Sequence, residues 1–295
     1  MSPTLKAQLQ IHACVLLWGF TAILGKLITL PALSLVWWRM LIVTTALALV
    51  PRVWRGLSAL SPRMLGTYAG IGVLVSLHWL TFYGAIKLAN ASVAATCIAL
   101  APVFLALVEP WIAGRRFDAR ELLLGVAVIP GVGLVVGGVR TEMRLGVAVG
   151  ALSALLVAIF GALNKRYIER AEPLVVTAIE LGAGTVFLSI IAPLLPGFAA
   201  PWTLPTAHDA TLLLVLALAC TLLPFSLSLT ALRRLSAFNV QLAVNLEPVY
   251  AIVFAIVLLD EQRELSAAFY GGVVVILLAV VAHPLLSRAH RREHA

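Results

Sequence analysis

The chain is poor in charge. Asp, Glu, Lys and Arg make up only 12% of its 295 residues, whereas soluble globular domains carry about 25%. Too little charge is present to clothe a water-exposed surface of this size, which excludes an ordinary soluble enzyme. Acidic residues are the scarcest, 13 against 21 Lys and Arg, giving a formal charge of +8. That surplus is scattered between apolar stretches rather than gathered on one face, which argues against a nucleic-acid partner. Only three cysteines occur, Cys14, Cys97 and Cys220, all inside apolar stretches. An odd number in such surroundings implies packing residues and no disulfide framework. The chain has no phosphate loop, no HExxH, no GxSxG and no Cys/His spacing for zinc. No catalytic residue, metal or cofactor is expected.

Apolar sequence fills the chain instead. Hydrophobic residues reach 62% and the mean hydropathy is +1.04. A helix that spans a bilayer needs roughly 20 apolar residues, and ten such runs can be read: about 8–29, 31–51, 65–87, 91–112, 121–139, 145–166, 173–195, 210–232, 237–259 and 266–286. The connections are short and carry breakers, among them Pro31, Pro51, Pro62, Asn90, Pro173, Pro196-Gly197 and Pro201. The first run is read as a span and not as a secretory signal, because its removal would break the two-fold count. With the N-terminus inside, fifteen Lys and Arg fall on the inner side. Only Lys87, Arg140, Arg144 and Arg263 fall outside, and Lys26 and Arg39 lie within or at the edge of spans. This bias predicts that both termini are cytoplasmic.

The chain also repeats itself. The stretch from Leu88 to Gly125 has an ungapped echo 146 positions later: Leu100-Ala101-Pro102-Val103 falls on Leu246-Glu247-Pro248-Val249, and Gly125 on Gly271. At a spacing of 139, LLWGFTAILGK ending at Lys26 falls on LLVAIFGALNK ending at Lys165. The fold class expected is therefore all-α integral membrane: ten transmembrane helices in two five-helix repeats, residues 1–140 and 141–295. Five is odd, so the second repeat enters the membrane inverted. Inverted repeats build alternating-access transporters, with the substrate near the midplane between the halves.

On these features the chain resembles the drug/metabolite transporter superfamily, and specifically its EamA-type members. The resemblance rests on WGFTAILGK in the first run, Pro31 with Trp38-Arg39 in the second, LAPV and LEPV in the fourth and ninth, and Glu261 after the ninth. Arg115, at the place mirroring Glu261, departs from the acidic residue that the family often has there. Within the superfamily the chain looks most like the YddG-type exporters of aromatic and other amino acids. The resemblance implies a multi-pass protein of a bacterial inner membrane, with a small-molecule substrate and the lipid bilayer as partners. The oligomeric state is left open; a monomer is compatible with it.

Positions where the two copies differ are free to contact an asymmetric substrate. His78, midway along the third run, aligns with Pro224. It is read either as a packing histidine bonded to a neighbouring helix or as a cavity group for a substrate carboxylate or amine. Trp79, Phe82 and Tyr83 surround it and can form an aromatic wall. Trp18 aligns with Val157, Phe160 with Thr21, and Asn164 lies one turn beyond Phe160; these are candidate substrate contacts, as are Leu100 and Asn245. Glu247 stands opposite Ala101 of the other copy and next to Pro248. It is read as a proton-coupling or amine-binding carboxyl, or else as an interhelix hydrogen bond. Pro102, Pro224 and Pro248, with Gly19, Gly84 and Gly161, are candidate bends. Arg39, Glu109 and Glu180 are read as structural pairs or vestibule charges, and the fifth and tenth runs as scaffold or dimer contacts.

The function expected is a secondary transporter, exporter or facilitator, of amino acids or related small metabolites. The alternatives are a multidrug or cationic-compound exporter, for which Glu247 would hold the cation, and an intramembrane enzyme using His78 and Glu247 as an acid–base pair. The inverted duplication speaks against the enzyme, because transport explains it and catalysis does not.

Overall fold

Ser-Pro and Asn signals set where helices begin. In α1 (Pro3–Leu27) and in α4 (Pro62–Leu88) the preceding serine accepts from a first-turn N–H, while proline occupies a position that has no intrahelical donor to lose. Between them lie α2 (Ala32–Ala48), which starts after Pro31, and the short amphipathic α3 (Pro51–Ser58). Asn90 accepts from Val93 N–H at 2.9 Å and starts α5 (Ala91–Ile98), which continues as α6 (Ala101–Ala113), α7 (Ala119–Val126) and α8 (Ile129–Gly138). There follow α9 (Arg144–Tyr167), α10 (Pro173–Ile191), α11 (Ala207–Leu214), a π-helical segment Val215–Leu222, α12 (Leu223–Leu232), α13 (Ala237–Val244), α14 (Glu247–Leu259) and α15 (Ala267–Ile276). This computed structural model describes residues 2–114, 116–127, 129–194, 202–244, 246–263, 265–276 and 278, and no strand occurs among them. Asn245, Arg115, the end of the tenth run and the C-terminus lie outside the described residues.

Six helical stretches among the described residues are long and apolar enough to cross a bilayer, or seven if α2 and α3, bent by 88° to each other, count as one. The shorter apolar α14 and α15 fall on the ninth and tenth runs. Large apolar side chains stand exposed along many of these helices, including Leu152, Val186, Ile190, Leu214, Val253 and Val257. An apolar surface on this scale fits lipid rather than water.

The two LxPV stretches interrupt their helices in the same way. Leu100 N–H donates to Cys97 C=O, and the Leu100 carbonyl accepts from Val103 and Phe104. At 146 positions further on, Leu246 donates to Ala243 and accepts from Val249 and Tyr250. Proline at the start of each downstream helix removes the next donor, so a tighter turn replaces one α-turn. The helices that follow also end alike, Gly114 at φ 66° and Asp260 at φ 54°, both left-handed caps. A second match lies at two helix ends: Lys87 Nζ donates to the carbonyl of Ile28, the residue that caps α1, and Arg233 donates to Ile168 and Ala171 at the end of α9.

The remaining candidate bends behave differently. Helices α1, α4 and α9 run unbroken through Gly19, Gly84 and Gly161. Gly19 serves close approach instead: a Cβ there would lie 2.8 Å from Tyr250 Cβ on α14. Pro224 sits in the first turn of α12, just after the π-helical segment, and its carbonyl accepts from the Cys14 thiol at 3.2 Å. The irregularity in the eighth run is therefore the wide turn ahead of the proline. Helices α4 and α10 touch backbone to backbone at Gly72 and Gly184, and α8 and α15 at Gly131 and Gly272.

Candidate functional site

The helix faces that meet at the centre enclose one cavity of about 950 Å³, counting its mouth. Helical spacing explains the lining. Trp18 and Thr21 lie three apart on α1; Val157, Phe160, Gly161 and Asn164 make one stripe of α9; Phe225, Ser228, Leu229 and Leu232 make one of α12. Arg39 enters from α2, His78, Trp79 and Phe82 from α4, Ile98 from α5, Val244 from α13 and Glu247 from α14.

Many of these residues are related by the two spacings of the sequence echo. Trp79 and Phe225, Phe82 and Ser228, and Ile98 and Val244 are each 146 apart; Trp18 and Val157, and Thr21 and Phe160, are each 139 apart. Each pair lines the same cavity, and Trp79 meets Phe225 edge to face with ring centroids 6.0 Å apart. Such counterparts face one cavity from two sides but differ in chemistry, so the walls are unequal: bulky where Phe160 and Phe82 stand, small and polar at Thr21 and Ser228.

His78 divides its two nitrogens between two tasks. Its Nδ1 lies 2.8 Å from Ser153 Oγ and 3.0 Å from the Ser153 carbonyl; because the carbonyl can only accept, this contact favours the tautomer with the hydrogen on Nδ1 and Nε2 as the acceptor. Ser153 Oγ donates back to the His78 carbonyl at 3.0 Å. The ring lies between Phe160, at 5.4 Å, and Phe82, at 6.2 Å. Both sequence readings of His78 thus have a counterpart here, one nitrogen bonded to a neighbouring helix and the ring on the cavity wall.

Arg39, read from the sequence as a structural pair or vestibule charge, also lines the cavity. Its Nε donates to Thr221 Oγ1 at 2.5 Å, its Nη1 to the Tyr83 hydroxyl at 2.7 Å, and its guanidinium lies 3.8 Å over the Trp79 ring. A buried cation held by two neutral oxygens and a ring face keeps its charge directed at the cavity. Glu247, also on the wall, makes no hydrogen bond among the described residues and forms no ion pair with Arg39. The cavity therefore offers a cation, a carboxyl and an imidazole nitrogen between aromatic surfaces.

Two candidates lie off the wall. Tyr83, one residue past Phe82, turns away from the cavity, packs against Gly25 of α1 and is fully buried; it supports Arg39. Leu100 sits at the break between α5 and α6, where its carbonyl closes the turn. Glu180 is fully buried beside Asn164, and Glu261 accepts from Ala91 N–H, Ser92 N–H and Ser92 Oγ at the start of α5. No cluster of His, Cys, Asp and Glu able to hold a metal occurs among the described residues.

Comparison with known proteins adds to this geometry. The sequence model of the EamA-like transporter family matches residues 5–137 and again 144–282. No curated protein matches. A solved structure described only as "Crystal structure of protein" is similar with a TM-score of 0.69, covering 96% of this chain and 98% of its own, at 18% identity. At that identity the likeness is one of fold.

Proposed function

Because the chain belongs to the EamA-like transporter family, whose members are membrane transporters of small molecules rather than enzymes, we propose that it carries amino acids, aromatic ones included, through the central cavity by alternating access. The observation that carries this reading is the shared lining: positions related by the repeat spacing face one cavity. Two segments matching one family model support a division near residue 140, and the identical turns at Leu100 and Leu246 support a duplicated unit. Five helical runs per copy make the copies inverted, and rocking of inverted halves exposes a central site to one side at a time. Positive charge concentrated in alternate loops supports cytoplasmic termini.

The chemistry of the wall fits a zwitterion. Arg39 answers a carboxylate, Glu247 an ammonium group, and His78 Nε2 accepts a further hydrogen bond. Trp18, Trp79, Phe82 and Phe160 give a flat apolar side chain surfaces to stack on. A purely cationic drug would meet Arg39 as a like charge, which favours the amino acid.

Counterflow of radiolabelled phenylalanine and threonine in vesicles holding the full chain tests this. Wild type should exchange both, and His78→Ala, Phe160→Ala and Glu247→Gln should each slow exchange. Unchanged exchange in all three would remove the proposed site. Uptake of cationic dyes alone, abolished by Glu247→Gln, would replace the cargo.

A further inference from the structure

Beneath the cavity wall lies a pair of polar side chains that the transport reading does not use. Asn164 lines the cavity with one side, and behind it Glu180 on α10 is fully enclosed. Asn164 Nδ2 donates to Glu180 Oε2 at 3.4 Å, while Glu180 Oε1 and Asn164 Oδ1 are both buried with no hydrogen-bond partner. Two orphaned acceptors, one on each member of a bonded pair, are rare in a folded interior. What the pair lacks is a single donor hydrogen.

We propose that this donor is a proton held on Glu180, making an acid–amide pair with Asn164, and that this pair is the proton-binding site of the transporter. A protonated carboxyl has one O–H to give and a carbonyl to receive, and a primary amide has the complementary set. One proton therefore supplies the donor that both orphaned oxygens miss. The step balances simply: the O–H bond of Glu180 breaks, a water molecule entering from the cavity beside Asn164 takes the proton as hydronium, and a carboxylate remains.

Among the described residues the surroundings offer no other source of charge compensation. On α4, Tyr68 donates its hydroxyl to the Tyr167 carbonyl and His78 is bonded to Ser153. Arg39 on α2 is held by Thr221 and Tyr83. Arg52 on α3 pairs with Glu172, and neighbouring Arg55 is exposed; Arg233 beyond α12 caps the end of α9. Lys165 of α9 donates to Leu232 and Leu235. Among the described residues none forms an ion pair with Glu180, so an ionised Glu180 would stand uncompensated in an apolar interior.

The existence of the proton rests on this geometry alone; its role as the coupling ion rests on the transporter reading above. Infrared difference spectra of the full chain in lipid, wild type against Glu180→Gln, test the first. A protonated-carboxyl band at neutral pH should be present in wild type, absent from Glu180→Gln and displaced in Asn164→Leu, which removes the amide. Glutamine supplies an N–H where the acid has O–H, so Glu180→Gln keeps the pair satisfied. A carboxylate band in place of the acid band overturns the proposal, and so does a band that Asn164→Leu leaves unmoved. For coupling, vesicles with an imposed pH gradient should accumulate phenylalanine with wild type and fall to the level of empty vesicles with Glu180→Gln. Accumulation that survives in Glu180→Gln overturns the coupling role. Failure of wild type to move any amino acid counts against the cargo reading and leaves the infrared result standing.

Discussion

The guanidinium of Arg39 lies 3.8 Å from the centre of the Trp79 ring, so a buried cation on the cavity wall and one of its aromatic faces are a single unit. Lysine cannot reproduce that unit, because its point charge neither stacks flat nor donates in two directions at once. Arg39→Lys should raise the KM for amino-acid exchange about tenfold, the loss of roughly 1.4 kcal/mol expected when a hydrogen bond to a charged group is given up. Arg39→Gln should cost more, since the charge goes too. Vesicle exchange kinetics read both; a KM unchanged in Arg39→Lys would reduce the arginine to a packing role.

Arg39 also marks the limit of what could be read from the chain. Apolar runs and breakers were legible because each is a property of consecutive residues. So was the interruption at Pro102 and Pro248, where proline removes a backbone donor wherever it sits. Trp18, His78, Trp79, Phe82, Phe160, Asn164 and Glu247, all singled out as positions that differ between the copies or flank them, line one cavity. Arg39 stood at the edge of a span, and nothing in its neighbours says which way α2 is turned. The same limit hid Glu180 behind Asn164, which are 16 apart on two antiparallel runs. Side-chain direction around a helix axis is decided by its packing partners, which in lipid are close-set glycines such as Gly72 and not a simple apolar stripe.

Glu261 holds the start of α5 from the other half of the chain, accepting from Ala91 N–H and Ser92 N–H, each at 3.1 Å, and from Ser92 Oγ at 2.7 Å. With Asn90 Oδ1 on Val93 N–H, the first three donors of the helix are all satisfied by side chains. Glu261→Ala should leave two buried N–H groups without partners and destabilise the protein by about 2–3 kcal/mol. Thermal unfolding in detergent reads the loss, and a midpoint equal to wild type would exclude this capping role.

At the rim, Arg52 donates to both carboxylate oxygens of Glu172, at 2.7 and 3.0 Å, joining residues of the two halves. That hydrogen bonding holds the Glu172 carboxyl below its ordinary range, against a smaller opposing effect of burial. A depressed folded-state value means stability that is present above the ordinary carboxylate range and is lost as pH falls through the depressed one. Both side chains are largely exposed, so the effect is small and screened by salt. Unfolding midpoints of wild type and Glu172→Gln should therefore differ slightly at neutral pH and low salt and converge in acid. A difference that grows on acidification would reverse the assigned sign.

Gly72 and Gly84 lie on the same helix and make opposite predictions. A Cβ on Gly72 would fall on the carbonyl oxygen of Glu180 and within 2.7 Å of its Cα, so the obstacle is backbone that cannot rotate aside. A Cβ on Gly84 meets only Val149 Cγ1, at 3.6 Å, an ordinary contact. Alanine also favours a helix over glycine by about 1 kcal/mol, so Gly84→Ala should be neutral or slightly stabilising. Gly72→Ala has to push α4 and α10 apart along the contact that carries Gly184, Met40 and Ser76. Overpacking of this kind costs about 1–3 kcal/mol even where side chains can yield; here backbone must move, so the cost should reach at least the upper end. Because α10 positions Glu180 against Asn164, the Gly72→Ala protein that does fold should also lose its ability to use a pH gradient. Unfolding midpoints and gradient-driven uptake, measured on both variants, separate the two glycines. Equal midpoints would mean that the α4–α10 contact is looser than the backbone approach at Gly72 implies.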